Sequence, residues 1–382
     1  MKTLLFFDSF KLMSYFREGD FSFLFLAILV LCFALLSLIA LLLIVYKHFR
    51  FIYNKHAFTK STKRIFRTFK IYYKEIEKPK SNERRLSTKL FGRKFLQSKL
   101  TRSTLQKIIL KAYKKAPEIE QRKLERLFVY LKFEREIRKN ISNKDWHIAA
   151  EAIHYAGAMN IKKCYPKILP FVDVRNRILR NEARFAAIRL APEDPLEFLD
   201  QIEFDLSNWE QLGIIDTIQK YKHTEIKNIG KYLNHPINSV VILSLKIIEV
   251  FGIKNETENI KKCFTLTFSK SVKKQCIYTL GYVGKTIDNY FLISKLKDKR
   301  EIDMIVPFLI SIRKIGIEED QIDPLIYLLY SNEYDIVNYT ALIFKTNEIG
   351  LELLEAILPT LNTMQVKAVD FALKYEPHLS NY

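Results

Sequence analysis

Residues 239–252 read SVVILSLKIIEVFG, an apolar run that ends in glycine and decides the fold class of this 382-residue chain. Its apolar residues recur three and four positions apart, which is the spacing of one face of an α-helix. A glycine directly after such a run is typical of the residue at which a helix ends. The stretch therefore predicts a helix that ends at Gly252.

The same pattern recurs at intervals of 32 residues on both sides of this stretch. Similar blocks begin at Ser207, Ser239, Ser271, Asp303 and Asp335. Three blocks carry a glycine at the same place, Gly252, Gly284 and Gly316, where we expect the first helix to end. Two less regular units begin near 145 and 181. Each unit predicts a helix of about fourteen residues, a turn, a helix of about twelve and a loop, with no strand alternation.

Repeats of helix pairs with a period of about 30–45 residues are typical of α-solenoids, because one pair cannot bury its apolar face alone. The chain resembles the HEAT-repeat (armadillo-like) class, most closely at 181–190 (NEARFAAIRL), 239–252 and 271–281 (SVKKQCIYTLG). The resemblance covers about 145–382 and implies a right-handed α-solenoid of about seven helix pairs. The tetratricopeptide class is the alternative, but its Trp-Leu-Gly-Tyr pattern is missing at the required spacing.

Near the start of the chain, residues 21–46 form an apolar run without a charged side chain. As a helix it is roughly 39 Å long, more than the ~30 Å hydrocarbon layer of a bilayer. The run predicts a single transmembrane helix after a short outer tail, residues 1–20. A cleavable signal peptide is the alternative, but it would have a shorter apolar core and a small-residue cleavage site, whereas Tyr46-Lys47-His48 follows.

The net charge of +20 lies in one part of the chain. Residues 47–144 hold 30 Lys and Arg against 8 Asp and Glu, whereas residues 145–382 hold 29 against 31. Because bases next to a transmembrane helix stay on the cytoplasmic side, we expect the N-terminus outside and the repeat domain inside the cell. The inverted topology is the alternative. The near-neutral repeat domain gives no reason to expect a nucleic-acid partner.

Bases alternate with aromatics after the apolar run. Residues 47–100 are predicted to be a basic aromatic juxtamembrane segment and linker, and residues 101–144 capping helices, the second from Glu118 to about Lys139. The segment forms either a helix lying among anionic lipid headgroups or an extension of the transmembrane helix with its aromatics packed on the next domain. The expected membrane-surface contacts are Lys47, Arg50, Lys60, Lys63, Arg64, Arg67 and Lys70.

The most concentrated basic ridge of the repeat domain consists of Arg177, Arg180 and Arg184, which are spaced to share a helical face. It is the candidate binding surface for an acidic partner, a phosphate or lipid headgroups. The alternative is that these arginines pair with Asp173 and Glu182 on a solvated helix.

Other polar residues give weaker signals. His147, Glu151 and His154 share one helical face, but without an HExxH motif a solvated or interhelical face is the simpler interpretation. The three cysteines of the repeat domain lack zinc-binding spacing and are expected to be reduced thiols. No catalytic, cofactor-binding or metal-binding residue is expected, since GxGxxG, Walker A and GxSxG motifs are absent.

Together these features favour a non-enzymatic, membrane-tethered scaffold that binds a protein partner through the solenoid surface at the cytoplasmic face. By analogy, the candidate partner is another inner-membrane complex. The alternative is an enzyme or a nucleic-acid-binding protein on a HEAT-like frame, which would need a basic concave face.

Overall fold

The computed structural model describes residues 21–76, 83–92, 95–221, 226–297 and 303–375. All regular secondary structure in these residues is helical, and no β-strand occurs among them, which confirms the predicted all-α class. The chain divides into two compact units, unit 1 (Met1–Phe133) and unit 2 (Glu134–Tyr382).

Unit 1 is dominated by one long helix. Its helices are α1 (Phe21–Ile76), α2 (Glu83–Leu90), α3 (Lys99–Tyr113) and α4 (Glu118–Tyr130). The predicted apolar run and the basic segment after it belong to the same unbroken helix, α1, of 56 residues. Within it, the apolar segment Leu26–Phe49 is long and apolar enough to cross a membrane.

The C-terminal half of α1 packs inside unit 1. Ile65, Phe69 and Tyr72 recur at helical spacing and are buried, and α1 contacts both α2 and α3. The ring of Tyr72 lies 5.8 Å from that of Phe91, which follows α2. This arrangement agrees with the hypothesis of a helical extension with packed aromatics. A helix lying among lipid headgroups would instead need Phe69 and Tyr72 free to face the acyl chains.

Unit 1 departs from the sequence prediction in two places. Helix α2 lies within the stretch that was predicted to be a linker. The helix predicted from Glu118 to about Lys139 is divided, since α4 ends at Tyr130 and α5 (Phe133–Asn140) begins after it. Between them Lys132 has φ +60°. A residue in that left-handed region cannot continue a right-handed helix, so α4 and α5 are separate helices.

Unit 2 alternates longer helices with shorter helical segments. The longer helices are α6 (Trp146–Ala158), α8 (Arg177–Leu190), α9 (Asn208–Lys220), α10 (Asn238–Phe251), α12 (Lys270–Val283), α14 (Ile305–Ile315), α15 (Tyr334–Phe344) and α17 (Thr363–Lys374). The shorter α-helices are α7 (Tyr165–Ile168), α11 (Thr257–Leu266), α13 (Asn289–Leu296) and α16 (Glu348–Ile357). Other short segments, such as Glu197–Gln201, Ile229–Asn234 and Asp323–Tyr330, are 3₁₀ helices.

Consecutive long helices share the core of unit 2. Contacts join α6 to α8, α8 to α9, α10 to α12, α12 to α14 and α14 to α15. Leu245, Ile277, Leu309 and Ala341 occupy the same position in successive 32-residue blocks, and all four are completely buried. The second helices are shorter than the predicted twelve residues, so the long helices supply most of the repeated packing.

Glycines mark helix ends and one close helix contact. Gly252, Gly284 and Gly316 directly follow α10, α12 and α14, which confirms the predicted helix ends. Gly252 and Gly316 have φ of +62° and +89°, a backbone region that favours glycine. Inside α12, a Cβ atom on Gly281 would lie 3.0 Å from the Cα of Ser311 on α14. The two helices therefore approach too closely for a side chain at that position.

Candidate interaction site

The predicted basic ridge lies on α8, but its three arginines have different environments. The Asn176 side chain caps this helix by accepting hydrogen bonds from two backbone N–H groups of the first turn. Arg177 is exposed, Arg180 is mostly covered and Arg184 is only 1% exposed. The prediction of a shared partner-binding surface is therefore wrong for Arg184, which is buried, and Arg177 alone of the three stays exposed.

Arg184 lies at the centre of a buried ionic network. Its Nη1 donates to Oε1 of Glu210 at 3.0 Å, its Nη2 donates to Oδ1 of Asp173 at 2.8 Å, and its Nε donates to the Val172 carbonyl at 2.7 Å. Arg180 donates from Nη2 to the same Glu210 oxygen at 2.9 Å. An unpaired buried charge would be destabilising by several kcal/mol, so this pairing is what allows Arg184 to lie inside the unit. The predicted pairing with Asp173 is present, whereas Glu210 was not foreseen.

Glu210 remains ionised at the start of α9. Burial opposes its ionisation, but hydrogen bonds from Ser207 and Arg180 and the charge of Arg184 outweigh that effect and lower its pKa to about 2. Ser207 and Glu210 also form a capping box, in which Oε2 of Glu210 accepts from the Ser207 N–H at 2.9 Å. Residues 207–210 read SNWE, the sequence signature of this box.

The network also fixes the backbone of the loop before α9. Oδ2 of Asp173 accepts hydrogen bonds from the N–H groups of Glu203 at 2.7 Å and Phe204 at 3.1 Å. Further along, the Leu206 N–H donates to Oγ of Ser239 at 2.8 Å. The loop is thus tied to the segment before α8 and to α10, while the capping box joins its end to α9.

Two exposed aromatic side chains project from this fixed backbone. Phe204 in the loop and Trp209 in the first turn of α9 are 61% and 76% exposed, respectively, and we refer to these two side chains as the aromatic site. Rigid, exposed aromatics are typical of protein interaction surfaces, because they bury much area and lose little entropy on binding. The sequence alone does not reveal this site, because a single sequence does not separate exposed from buried aromatics. The SNWE capping box was the available signal, since it places Trp209 in a first helical turn.

The histidine face described from the sequence does not assemble into a metal site. No cluster of three or more His, Cys, Asp or Glu side chains able to hold a metal occurs among the described residues. His154 on α6 instead has its Nδ1 3.0 Å from Oε2 of Glu182 on α8. This pair joins two neighbouring helices, which agrees with the interhelical interpretation and explains why Glu182 does not pair with the arginines.

The cysteines of unit 2, Cys164, Cys263 and Cys276, are free and buried. Burial is the main factor that raises the pKa of the Cys164 thiol, to about 11. A hydrogen bond with Cys263, together with burial, raises the pKa of Cys276 as well. Both effects keep Cys164 and Cys276 as neutral thiols within the helical core.

The predicted membrane-surface cations lie along α1. The exposed ones are Lys47, Lys63, Arg64, Arg67 and Lys70. The side chains of Arg50 and Lys60 lie outside the described residues. Arg64 also lies over the ring of Phe95, 5.6 Å from its centroid, so this cation makes a contact within unit 1.

Neither a protein-family model nor a curated protein matches this chain. The two features from which a function can be argued are therefore the apolar segment of α1 and the aromatic site of unit 2.

Proposed function

We propose that this protein is a non-enzymatic scaffold that is tethered to a membrane and binds a protein partner at the cytoplasmic face. The observation that carries the proposal is the apolar segment Leu26–Phe49, whose side chains are all exposed. Each large apolar side chain left in water costs about 1.5–3 kcal/mol, so the whole segment would cost tens of kcal/mol. A bilayer removes this cost.

Two further features support a retained, oriented transmembrane helix. The apolar segment continues without a break into the packed half of α1, which favours a permanent anchor over a cleaved signal sequence. The excess of bases after the segment favours the orientation with the N-terminus outside and units 1 and 2 inside the cell. Lys47, near the C-terminal end of this segment, is placed to contact anionic lipid headgroups.

We further infer that unit 2 is a right-handed α-solenoid of HEAT-like helix pairs. The 32-residue period, the buried position repeated in successive blocks and the contacts between consecutive long helices support this inference. Such a solenoid offers a long surface to a partner, and the aromatic site supplies the anchoring contacts. Because the tether concentrates this surface at the membrane, another inner-membrane complex is the proposed partner.

The test combines membrane fractionation with partner recovery. The full-length protein is expected to sediment with membranes, resist extraction by high salt and be released by detergent. After crosslinking in cells and detergent extraction, a specific protein partner is expected with the wild-type chain. Replacing both Phe204 and Trp209 by alanine should lower its recovery at least tenfold, because a buried aromatic anchor contributes about 2 kcal/mol or more.

The matched control is Phe268→Ala, since Phe268 is another exposed aromatic of unit 2 and lies, like Phe204, in a loop. This variant should recover the partner at the wild-type level, and all variants should unfold at the same temperature. Intact protein found in the soluble fraction without detergent would contradict the tether. Failure to recover any partner above background would contradict the scaffold function, and equal recovery with the double variant would contradict the aromatic site.

A further inference from the structure

A second surface, separate from the aromatic site, lies within unit 1. A groove of about 820 Å³ runs between α1 and α3. Its floor is formed by Phe66 and Phe69 of α1 and by Ile108 and Ala112 of α3. Phe69 is buried, whereas Phe66 is 57% exposed. The groove is thus an apolar channel whose lining still contacts water.

Four cations border this floor. The groove is lined by Lys63 and Arg67 of α1, by Lys111 of α3 and by Lys115, which lies in the turn directly after α3. No acidic residue that the structure describes lines it. All four are exposed, and none of them forms an ion pair with any residue that the structure describes. Their positive charge is therefore not neutralised by a direct ion pair with any described residue.

The cations form a rim on each side of the floor. Each residue of α1 advances about 100° around the helix axis, so Lys63 and Arg67 lie about 120° and 160° around the axis from the buried Phe69. Phe66 lies between Phe69 and these two cations. Lys111 lies in the last turn of α3 and Lys115 in the turn that follows it, whereas Ala112 and Ile108 lie closer to the buried residues of that helix. The charges thus follow both edges of the groove instead of gathering at one end.

We propose that this groove binds an acidic amphipathic helix of a partner protein. The helix would place its apolar stripe on the floor and acidic residues against both rims, as in other helix-in-groove complexes. The groove residues of α1 run from Thr59 to Phe69, about 15 Å along the axis, which matches about three helical turns. Cations along both edges of the groove can pair with a helix that has acidic residues on both flanks. A ligand with a single anionic group would contact the cations at one end of the groove only.

The distance to the bilayer argues against a lipid headgroup as the occupant. This step rests on the proposed function, in which Leu26–Phe49 is the transmembrane segment. Lys63 follows Phe49 by 14 residues and so lies about 21 Å further along the helix. The headgroup layer extends only about 5–8 Å beyond the hydrocarbon on each side. Even a 40° tilt leaves Lys63 about 16 Å beyond the apolar segment, outside that layer.

The test measures binding of a fluorescent peptide to the full-length protein in nanodiscs of zwitterionic lipid. The peptide has leucine at every third or fourth position and glutamate on both flanks. A peptide of the same composition with the stripe scrambled serves as its control. Reversing all four rim charges (Lys63→Glu, Arg67→Glu, Lys111→Glu, Lys115→Glu) should weaken binding at least tenfold, and Phe66→Ser should weaken it several-fold. Binding should also weaken as salt is raised.

The matched control reverses four exposed cations of unit 1 that do not line the groove. These are Lys70, Lys74, Lys89 and Lys114. This variant has the same net charge as the rim variant and is expected to bind within twofold of the wild type. An equal loss in both variants, or equal binding of the scrambled peptide, would overturn the proposal, because general attraction between opposite charges would then explain the result.

Native mass spectrometry with added phosphatidylglycerol distinguishes the lipid alternative. A bound anionic lipid that is lost only in the rim variant, with no peptide binding, would overturn the proposal in favour of a lipid site. If peptide binding is lost while the protein still sediments with membranes, the result bears on the groove and leaves the proposed tether unaffected. If the protein does not sediment with membranes, the proposed tether is contradicted. The groove is still tested in that case, because peptide binding can be measured separately.

Discussion

Arg184 places a positive charge inside unit 2, and its pairing depends on Glu210 being ionised. Glu210 receives hydrogen bonds from both Arg180 and Arg184, so protonating it would weaken two contacts of a buried network. Removing one partner of such a network typically destabilises a protein by about 3–5 kcal/mol. The carboxyl group of Glu210 therefore couples the stability of unit 2 to pH.

The first prediction is a loss of stability in acid. The pKa of Glu210 is lowered from 4.5 to about 2 in the folded chain, so its contribution is fully present above about pH 4.5 and is lost as the pH falls towards 2. The shift corresponds to about 3 kcal/mol. Glu210→Gln should lose a similar amount at pH 7 and flatten the acid dependence. Urea unfolding followed by tryptophan fluorescence measures this, because both tryptophans, Trp146 and Trp209, lie in unit 2.

Glu203→Gln is the control for this change, since Glu203 is an exposed carboxylate close to the same network. It should change the unfolding free energy by less than about 0.5 kcal/mol. An unaltered acid dependence in Glu210→Gln would show that another group causes the pH effect.

The sequence allowed the arginines to be identified as candidate ion-pair residues but not their partners to be fully assigned. Asp173 was foreseen because it lies close to Arg184 in the chain. Glu210 belongs to the next helix, and its approach depends on how α8 and α9 pack. The same limit applies to Phe204 and Trp209, whose exposure is decided by the fixed loop and not by their own residue type.

At the scale of elements, α12 and α14 approach each other at Gly281. A methyl group there would contact both the backbone and the side chain of Ser311. Alanine is favoured over glycine in a helix by about 1 kcal/mol, but relief of this clash requires the helices to separate. We expect Gly281→Ala to destabilise unit 2 by about 1–3 kcal/mol in the same urea experiment.

Gly213→Ala provides the comparison, because Gly213 also lies inside a long helix. Its nearest neighbour is the distal end of the Phe185 ring, which can rotate away. We expect a smaller effect, or a gain from helix propensity. Equal destabilisation by the two substitutions would contradict the view that the close approach of the α14 backbone determines how much stability Gly281→Ala loses.

Helix starts and ends were predicted best where local chemistry decides them. The glycines after α10, α12 and α14 end their helices as expected. The break at Lys132 carries no glycine or proline, so apolar spacing alone predicted one continuous helix. The lengths of the shorter helices depend on contacts with the neighbouring long helices, which periodicity does not encode.

At the scale of the whole molecule, the charge distribution predicts the orientation in the membrane. A reporter fused after Tyr382 should be active in the cytoplasm, and one fused before Met1 should be active outside. Neutralising Lys47, Arg50, Lys55, Lys60 and Lys63 should give a mixed orientation, because these bases lie within about 15–20 residues of the apolar segment. Neutralising five bases of unit 2 should change nothing. A wild-type C-terminal reporter active only outside the cell would contradict the proposed topology.

The continuity of α1 has a mechanical consequence. About 40 Å of helix separates Phe49 from Ile76, and no break in the helix interrupts it. With the apolar segment in a bilayer, as proposed, a 10° change in its inclination would swing the far end sideways by about 7 Å. The helix would then act as a lever that converts local bilayer thickness into lateral displacement, and thinner or thicker lipid patches would hold its inner end at different places.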